Sequence, residues 1–331
     1  MEVVVVRRLV GLVLAVGLLA GCAPRTPERQ GAAWSYVDDR GITVTAPERP
    51  QRIVAQVSAA GALKDFGVTV VGTFGPLRTS SGGVEPEAGG IDPDAVTDVT
   101  GPGYGEVRIE TLTSLRPQLV VSGKYKEFAG LWHLTEEQEK VVKPVAPTLG
   151  VAQSGIALPE SIRKYKDLAR ALGGDVDSAR VKADEERFTA AARRLRALGE
   201  RMRAAGKTIL AVGGVQDEYF VVVPARNPDL DYYVKELGLP ITTPKNPDTA
   251  GGGYFERLSW ENAGAYKADV LMWDTRPASF TPEQMKRNAV FAALPAAAAN
   301  RFAGWDAVAP MSYASYAKIM TKLADQIGAV L

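Results

Sequence analysis

Cysteine and histidine are almost absent from this sequence, which has one of each, Cys22 and His133, in 331 residues. Zinc, iron and manganese sites are usually built from several histidine and cysteine ligands, so the composition excludes sites of that kind. With Cys22 set aside for the role argued below, Cys–His nucleophilic chemistry is excluded, and a Ser–His–Asp triad has only His133 to use. The composition therefore disfavours an enzyme.

An excess of charge and a long apolar run inside the chain are also missing. The 39 basic and 38 acidic residues leave a net charge of +1, which gives no basic excess for nucleic acid. The apolar run Leu9–Leu18 is shorter than the ~20 residues that a transmembrane helix needs. No motif of the form G-x-S-x-G and no P-loop spacing occurs.

The first 22 residues have the pattern of a secretory signal. Arg7 and Arg8 precede the apolar run, which ends in small residues, as signal peptides do. Its end, Leu19-Ala20-Gly21-Cys22, resembles the lipobox of bacterial lipoproteins. That resemblance implies cleavage before Cys22 and acylation of its thiol, so that acyl chains hold the protein on the extracytoplasmic face of the cell membrane. An ordinary signal peptide with an accidental cysteine is the alternative.

The two halves of the chain repeat each other. Three segments of the first half recur in the same order in the second: 103–108 as 253–258, 109–121 as 260–272, and 134–140 as 280–286. Matches in the same order predict two lobes of one topology.

Each repeated unit has the pattern of a helix followed by a strand and another helix. Glu110 or Glu261 stands in the first turn of a short helix, where the helix dipole favours an acid. An apolar strand follows, and Thr135 or Thr281 then caps the next helix. This alternation predicts α/β lobes with largely parallel sheets, whose ligands lie beyond the carboxyl ends of the strands.

Helical patterns separate the halves. One helix is predicted from Pro159 to about Leu172, and a second over 177–204, which would be roughly 42 Å long. A coiled coil is the alternative for the second helix, but its apolar stripe covers too few heptads. We predict a signal peptide (1–21), a flexible tether (22–33), an N-terminal lobe (34–157), linking helices (158–206) and a C-terminal lobe (207–331).

Taken in order, several segments resemble one family. They are D-D-R-G-I-T-V-T-A-P-E-R-P-Q-R-I-V-A (38–55), G-V-T-V-V-G-T (67–73), the first copy of the repeat, and W-D-A-V-A-P-M-S-Y (305–313). With the lipobox, they are similar to the substrate-binding lipoproteins of ABC importers that have a helical backbone. The iron–siderophore binders are the most similar branch, and vitamin B12 and haem binders are relatives.

The resemblance implies a monomeric binding protein that captures a ferric siderophore and hands it to an ABC permease. It implies no catalysis and no cofactor, because iron enters only as a chelate. Haem or cobalamin remains an alternative ligand, and a lipid-anchored hydrolase or a signalling subunit an alternative function. The segment 224–230 and the glycines 251–253 match no ligand-specific subgroup, so hydroxamate and catecholate chelates both stay open.

A ferric chelate already satisfies its iron, so its binding protein needs aromatic faces and cations rather than metal ligands. Trp273 and Arg276 follow an apolar strand at the expected mouth of the cleft. Tyr104 and Tyr254 fit either packing or binding, and His133 either a solvated loop or a haem ligand. We predict that the ligand contacts Arg78, Lys124, Tyr125, Trp132, Tyr219, Trp273, Arg276 and Tyr313.

Two acidic residues occupy equivalent places in the repeat. Glu137 and Glu283 each lie just inside a capped helix start. In the family that the sequence resembles, one surface acid per lobe docks on arginines of the permease, which predicts this role for the pair. The alternative is the usual preference for an acid in the first turn of a helix.

Overall fold

The computed structural model describes residues 33–331. The predicted signal peptide, the acylation of Cys22 and all but the last residue of the predicted tether lie outside the described residues. These assignments, and the domain boundaries, stay predictions.

The N-terminal lobe is built on a parallel sheet. Its strands are β3 (Ile53–Gln56), β4 (Gly72–Phe74), β5 (Thr97–Asp98), β6 (Leu119–Lys124) and β7 (Thr148–Ala152), in the order β5-β4-β3-β6-β7. An antiparallel hairpin of β1 (Trp34–Val37) and β2 (Thr43–Ala46) precedes it. The central strands β3 and β6 are apolar and buried, as expected for parallel strands covered on both faces.

Helices cover both faces of this sheet. They are α1 (Val57–Asp65), α2 (Ile109–Ser114) and α3 (Glu136–Val142), with a 3₁₀ turn at Pro86–Ala88. Leu63 of α1 packs in the core between the sheet and the linking helices, whereas Leu112 of α2 and Val142 of α3 pack on the opposite face. The lobe is therefore a three-layer α/β unit.

The C-terminal lobe repeats this plan with a mixed sheet. Its strands are β8 (Ile209–Gly214), β9 (Tyr219–Val222), β10 (Phe255–Leu258), β11 (Val270–Asp274) and β12 (Phe302–Trp305), in the order β10-β9-β8-β11-β12. β8, β11 and β12 are parallel, but β9 and β10 pair antiparallel. The antiparallel pairing of β8 and β9 follows from the short connection between them, because a parallel crossover needs a dozen or more residues.

The helices of the second lobe are mostly short. They are α6 (Pro228–Lys235), α7 (Pro282–Met285), α8 (Ala289–Ala292) and α9 (Pro295–Ala298), with 3₁₀ turns at Pro224–Arg226, Thr249–Gly251 and Trp260–Ala265. The units β6–α3–β7 and β11–α7–β12 occupy equivalent places in the two sheets. The sequence repeat is confirmed as two similar α/β lobes.

Two helices link the lobes along the chain, α4 (Leu158–Ala171) and α5 (Ala179–Ala204). Both lie within two residues of their predicted bounds at each end, and Ser178 caps α5 by accepting a hydrogen bond from the amide of Val181. The long backbone helix that the sequence predicts is confirmed. A helix of 26 residues is about 39 Å long.

The C-terminal helix, α10 (Tyr313–Val330), packs along α5, so a second helix lies beside the long helix that links the lobes. It begins at the N-terminal lobe, where the Ser312 hydroxyl donates to Asp65 of α1 at 2.5 Å. Pro310 fits against Gly61, where a Cβ atom would lie 2.7 Å from its ring. The chain therefore crosses between the lobes a second time, which the sequence did not indicate.

None of the helices within residues 33–331 is both long enough and apolar enough to cross a membrane.

Gly199 lies where α5 passes closest to the segment after α6, and we expect Gly199→Ala to destabilise the protein. A Cβ atom there would lie 2.7 Å from the carbonyl oxygen of Gly238. Overpacking of this kind costs about 1–3 kcal/mol, more than the ~1 kcal/mol by which alanine favours a helix. Urea unfolding measures the difference.

Gly328→Ala on α10 is the matched control. A Cβ atom there meets nothing within 4 Å, so the change should leave stability unchanged or raise it by up to ~1 kcal/mol. A Gly199→Ala protein as stable as the Gly328→Ala protein would contradict this account of the helix crossing.

Candidate functional site

A cleft between the lobes contains two adjoining cavities of about 360 and 120 Å³. Trp132, Arg276, Ala307 and Val308 line both cavities. A third cavity, of about 360 Å³, extends from Trp132 along the N-terminal lobe to the start of α3. We call the two adjoining cavities the cleft site.

The cleft site lies beyond the carboxyl ends of parallel strands, where ligands bind in α/β folds. Trp132 follows β6, Arg276 follows β11, and Ala307 and Val308 follow β12. The segment that contains Ala307 and Val308 continues to Ser312 and α1, so it forms the part of the cleft that joins the lobes.

Aromatic rings form one wall of the cleft site. Tyr125 and Trp132 have ring centroids 4.9 Å apart, and Tyr104 lies 6.3 Å from Trp132. Tyr254 brings the C-terminal lobe into this wall, with its ring 6.1 Å from Phe128 and 6.2 Å from Tyr125. We call these five residues the aromatic wall, and their faces are suited to an apolar organic skeleton.

Arg276 is the cation of the cleft site, and Asp274 fixes its position. The Asp274 carboxylate is fully buried and accepts from the Arg276 Nε at 3.0 Å and from Nη2 at 2.6 Å. Burial alone would lower the pKa of Arg276, but the hydrogen bonds and charge of Asp274 outweigh it and raise the pKa. The guanidinium therefore stays charged and is held in one orientation.

Glu87 lies buried beside Trp132. Its Oε1 accepts from Gln56 Nε2 at 2.6 Å and from the Trp132 indole Nε1 at 3.1 Å. Burial raises the pKa of Glu87, although these two hydrogen bonds oppose the rise. Glu87 thus orients the indole ring of the aromatic wall.

His133 is half-buried in the wall of the cleft and does not occupy a solvated loop. Its ring lies 5.0 Å from that of Tyr104 and 4.9 Å from that of Trp132, and its backbone has a positive φ of 54°. Burial lowers the pKa of His133 from 6.5 to about 4. The imidazole is therefore neutral at neutral pH.

Glu127 connects the lobes beside the cleft site. Its Oε2 accepts from the hydroxyl of Ser154 at 2.7 Å, within its own lobe, and from the hydroxyl of Tyr254 at 2.9 Å, across the cleft. Arg226 of the C-terminal lobe lies 3.4 Å from Oε1. Partial burial would raise the pKa of Glu127, but the hydrogen bonds from Ser154, Tyr254 and its own backbone amide, together with the charge of Lys126, outweigh burial and lower the pKa.

The structure brings three of the eight predicted ligand residues together in the cleft site: Tyr125, Trp132 and Arg276. Arg78 lies on an exposed loop, where it pairs with Asp94 at 2.5 Å. The contacts of all four with a ligand stay predictions.

The other four predicted ligand residues lie outside the cleft site. Tyr219 is fully buried in the outer core of the C-terminal lobe, and Trp273 packs against the same core. Tyr313 packs against Phe66 and Phe188 behind the cleft.

Lys124 is the fourth predicted ligand residue that lies outside the cleft site. Its Nζ donates to the carbonyls of Phe128, Ala129 and Gly130, so it supports the loop that carries the aromatic wall. The ammonium group of Lys124 is therefore directed at the protein's own backbone.

Several cleft residues were not predicted: Glu85, Glu87, Phe128, Glu127, Ala307 and Val308. The motif Glu85-Pro86-Glu87 stands in the loop after β4, which marks it as a cleft position. A chelate site is expected to carry aromatic and basic residues, and neither glutamate of this motif is of that kind. Glu127 and Val308 carry no signal in the sequence.

Glu137 and Glu283 are both exposed in the first turns of α3 and α7. The helix caps predicted for Thr135 and Thr281 are confirmed, since each hydroxyl accepts a hydrogen bond from a backbone amide three residues later. Their role in docking stays a prediction.

Residues 33–331 contain no group of three or more histidine, cysteine, aspartate or glutamate side chains placed to hold a metal ion.

Residues 59–309 match the family described as periplasmic binding protein. The structure is similar to that of DesE, a ferric-siderophore receptor protein from Streptomyces coelicolor. The two sequences are 32% identical, the TM-score is 0.82, and the match covers 89% of this chain and 97% of that chain.

Two more distant structures share the fold. One is the siderophore periplasmic binding protein from the fuscachelin gene cluster of Thermobifida fusca, with 21% identity, a TM-score of 0.59, and coverage of 86% of this chain and 98% of that chain. The other is FhuD from Vibrio cholerae with Fe³⁺–Desferal bound, with 15% identity, a TM-score of 0.60 and coverage of 85% and 98%. No curated protein sequence matches the chain significantly.

The low pKa of His133 makes stability depend on pH. Between about pH 4 and pH 6.5 the unfolded chain binds a proton at this residue and the folded protein does not, so stability falls as the pH falls through this range. We expect His133→Asn to flatten the pH dependence by on the order of 1 kcal/mol per pH unit. Urea unfolding of both proteins at several pH values measures the slopes.

Asparagine is chosen because it tolerates a positive φ. Carboxylates such as Asp229, whose pKa burial raises to about 6, affect both proteins equally and cancel in the difference. Equal slopes for the two proteins would contradict the low pKa of His133.

Proposed function

The chain belongs to the periplasmic binding protein family, and we propose that it captures a ferric siderophore outside the cytoplasm and delivers it to an ABC permease. The observation that carries this proposal is the cleft site, with an aromatic wall on one side and a fixed guanidinium on the other. The similarity to a ferric-siderophore receptor over 97% of that receptor's length supports it.

The chemistry of a ferric siderophore fits these residues. The ligand surrounds its iron with oxygen atoms and presents an organic skeleton outward, so the protein meets carbon surface and chelate oxygens. The aromatic wall covers the skeleton, and the fork of Arg276 binds two oxygens at once. Iron is the cargo here, and the protein needs neither a resident cofactor nor a catalytic group.

The N-terminal sequence supports a place at the membrane surface. Acylation of Cys22 would hold the protein there by two or three chains, at ~0.8 kcal/mol for each buried CH₂ group. Residues 22–33 would give the lobes the freedom to reach the permease.

Haem is the second candidate ligand, because His133 presents a neutral imidazole in the cleft wall. A neutral imidazole is the form that ligates iron. Its packing against Tyr104 and Trp132 must then open for the metal to reach the ring.

Trp132 should contribute to affinity, whereas Trp273 should not. We expect Trp132→Phe to weaken binding of a ferric siderophore about five- to tenfold, since it loses ring area and the hydrogen bond that orients the ring. Trp273→Phe, the same substitution against the outer core, should change affinity less than twofold. Calorimetric titration with ferric hydroxamates, ferric catecholates, haem and cobalamin measures both.

The outcomes separate the candidates. Binding of haem alone would replace the siderophore proposal, and binding of none of the four ligand types would remove it. Equal losses in the two variants would show that the aromatic wall is not the binding surface.

The docking role of Glu137 and Glu283 is tested by charge reversal. We expect Glu137→Lys with Glu283→Lys to abolish siderophore-dependent uptake and to leave ligand affinity unchanged, because both side chains are exposed on helix starts of different lobes. Uptake by cells and calorimetry on the purified protein are compared.

Glu110→Lys is the matched control, since Glu110 is also exposed in the first turn of a short helix. It carries the same dipole penalty of about 0.3–1 kcal/mol and should leave uptake intact. Loss of ligand affinity in the double variant would argue against docking as the role of the pair.

A further inference from the structure

The charges around the cleft site are predominantly negative. The larger cavity is lined by three carboxylates, Glu85, Glu87 and Asp306, and by a single cation, Arg276. Lys322 pairs with Asp306 at 3.3 Å. Neither Glu85 nor Glu87 forms an ion pair within residues 33–331, and the charge of Arg276 acts on Glu87 only from a distance.

Arg276 does not supply a net positive charge. Its guanidinium is paired through Nε and Nη2 with the fully buried Asp274. The pair offers directed N–H donors to a ligand, and its two charges largely cancel at a distance.

Three basic residues of the flanking loops are also engaged, and a fourth, Lys126, lies next to Glu127, whose pKa its charge lowers. Lys124 is bound to backbone carbonyls, Arg226 lies against Glu127, and Arg78 pairs with Asp94. A ligand with several negative charges would therefore meet no free cation among these residues.

Glu87 has one oxygen bonded within the protein and the other available to a ligand. Gln56 Nε2 and Trp132 Nε1 both donate to Oε1, so this oxygen is an acceptor. No donor of residues 33–331 reaches Oε2. An N–H or ammonium group of a ligand can supply the missing donor, whereas a catecholate oxygen would be repelled.

We propose that the cleft site selects ferric chelates of zero or positive net charge, with Glu85 and Glu87 as the discriminating residues. This inference rests on the proposed function. Three hydroxamates neutralise Fe³⁺, but three catecholates leave a net charge of minus three. The preferred substrate class is therefore the ferric tris-hydroxamates, above all those with a pendant amine.

Three chelates of different charge test the proposal on the wild-type protein. Ferric desferrioxamine B is a tris-hydroxamate with a pendant ammonium, its N-acetyl derivative is neutral with the same skeleton, and a ferric tris-catecholate is trianionic. We expect the cationic chelate to bind about three- to tenfold more tightly than the acetylated one. The trianionic chelate should bind at least 100-fold more weakly than either.

Glutamine substitutions then test whether Glu85 and Glu87 are the residues responsible for the charge selection. Glu85→Gln and Glu87→Gln should each reduce the ratio of affinities between the cationic and the acetylated chelate toward one. Glu110→Gln, on the outer surface, should leave this ratio unchanged. Glu85 is partly exposed and hydrogen-bonds to no other side chain within residues 33–331, so its variant keeps the test usable if Glu87→Gln fails to fold.

The results distinguish this inference from the proposed function. Binding of no ferric chelate overturns the proposed function itself. Tight binding of the trianionic chelate beside the hydroxamates leaves siderophore capture standing and overturns the charge selection. An unchanged ratio in both glutamine variants overturns the assignment to Glu85 and Glu87.

Discussion

The buried carboxylate of Asp274 constrains the whole binding site. A charge without access to water must be compensated, and the group that compensates it is the guanidinium of Arg276, two residues further along the chain. The ion pair converts a long, flexible side chain into a fixed fork at the carboxyl end of β11. The aromatic wall and this fork line the same cavities, so the ion pair fixes the place at which a ligand meets the end of β11.

The repeat predicts the fold well because each lobe needs its own buried strands and its own helix caps, and both leave a pattern in the sequence. A strand buried on both faces needs an apolar run, and the helix that follows needs a cap, as at Thr135 and Thr281. The packing of α10 against α5 was missed because it joins segments more than a hundred residues apart. The antiparallel edge of the second sheet is not predicted because β9 lies outside the repeat, and because residues 105–108, the first-lobe copy of β10, form no strand.

The sequence predicts those site residues whose place follows from the order of strands and loops along the chain. It does not predict those whose place depends on the direction of the side chain. Arg276 and Trp132 follow strands whose ends reach the cleft. Trp273 lies one residue before the end of its strand, and its side chain points to the face that Leu271 also occupies, since alternate residues share a face. Tyr313 begins a helix whose place behind the cleft is set by the second crossing of the chain between the lobes.

Glu127 joins the two lobes beside the cleft site. Its hydrogen bond to Tyr254 and its ion pair with Arg226 join the lobes without involving any ligand atom. Contacts of this kind act on the relative position of the lobes, which is common to every ligand of the cleft. Glu127 therefore bears on how far apart the lobes stand, and the choice among chelates is left to the residues that line the cavity.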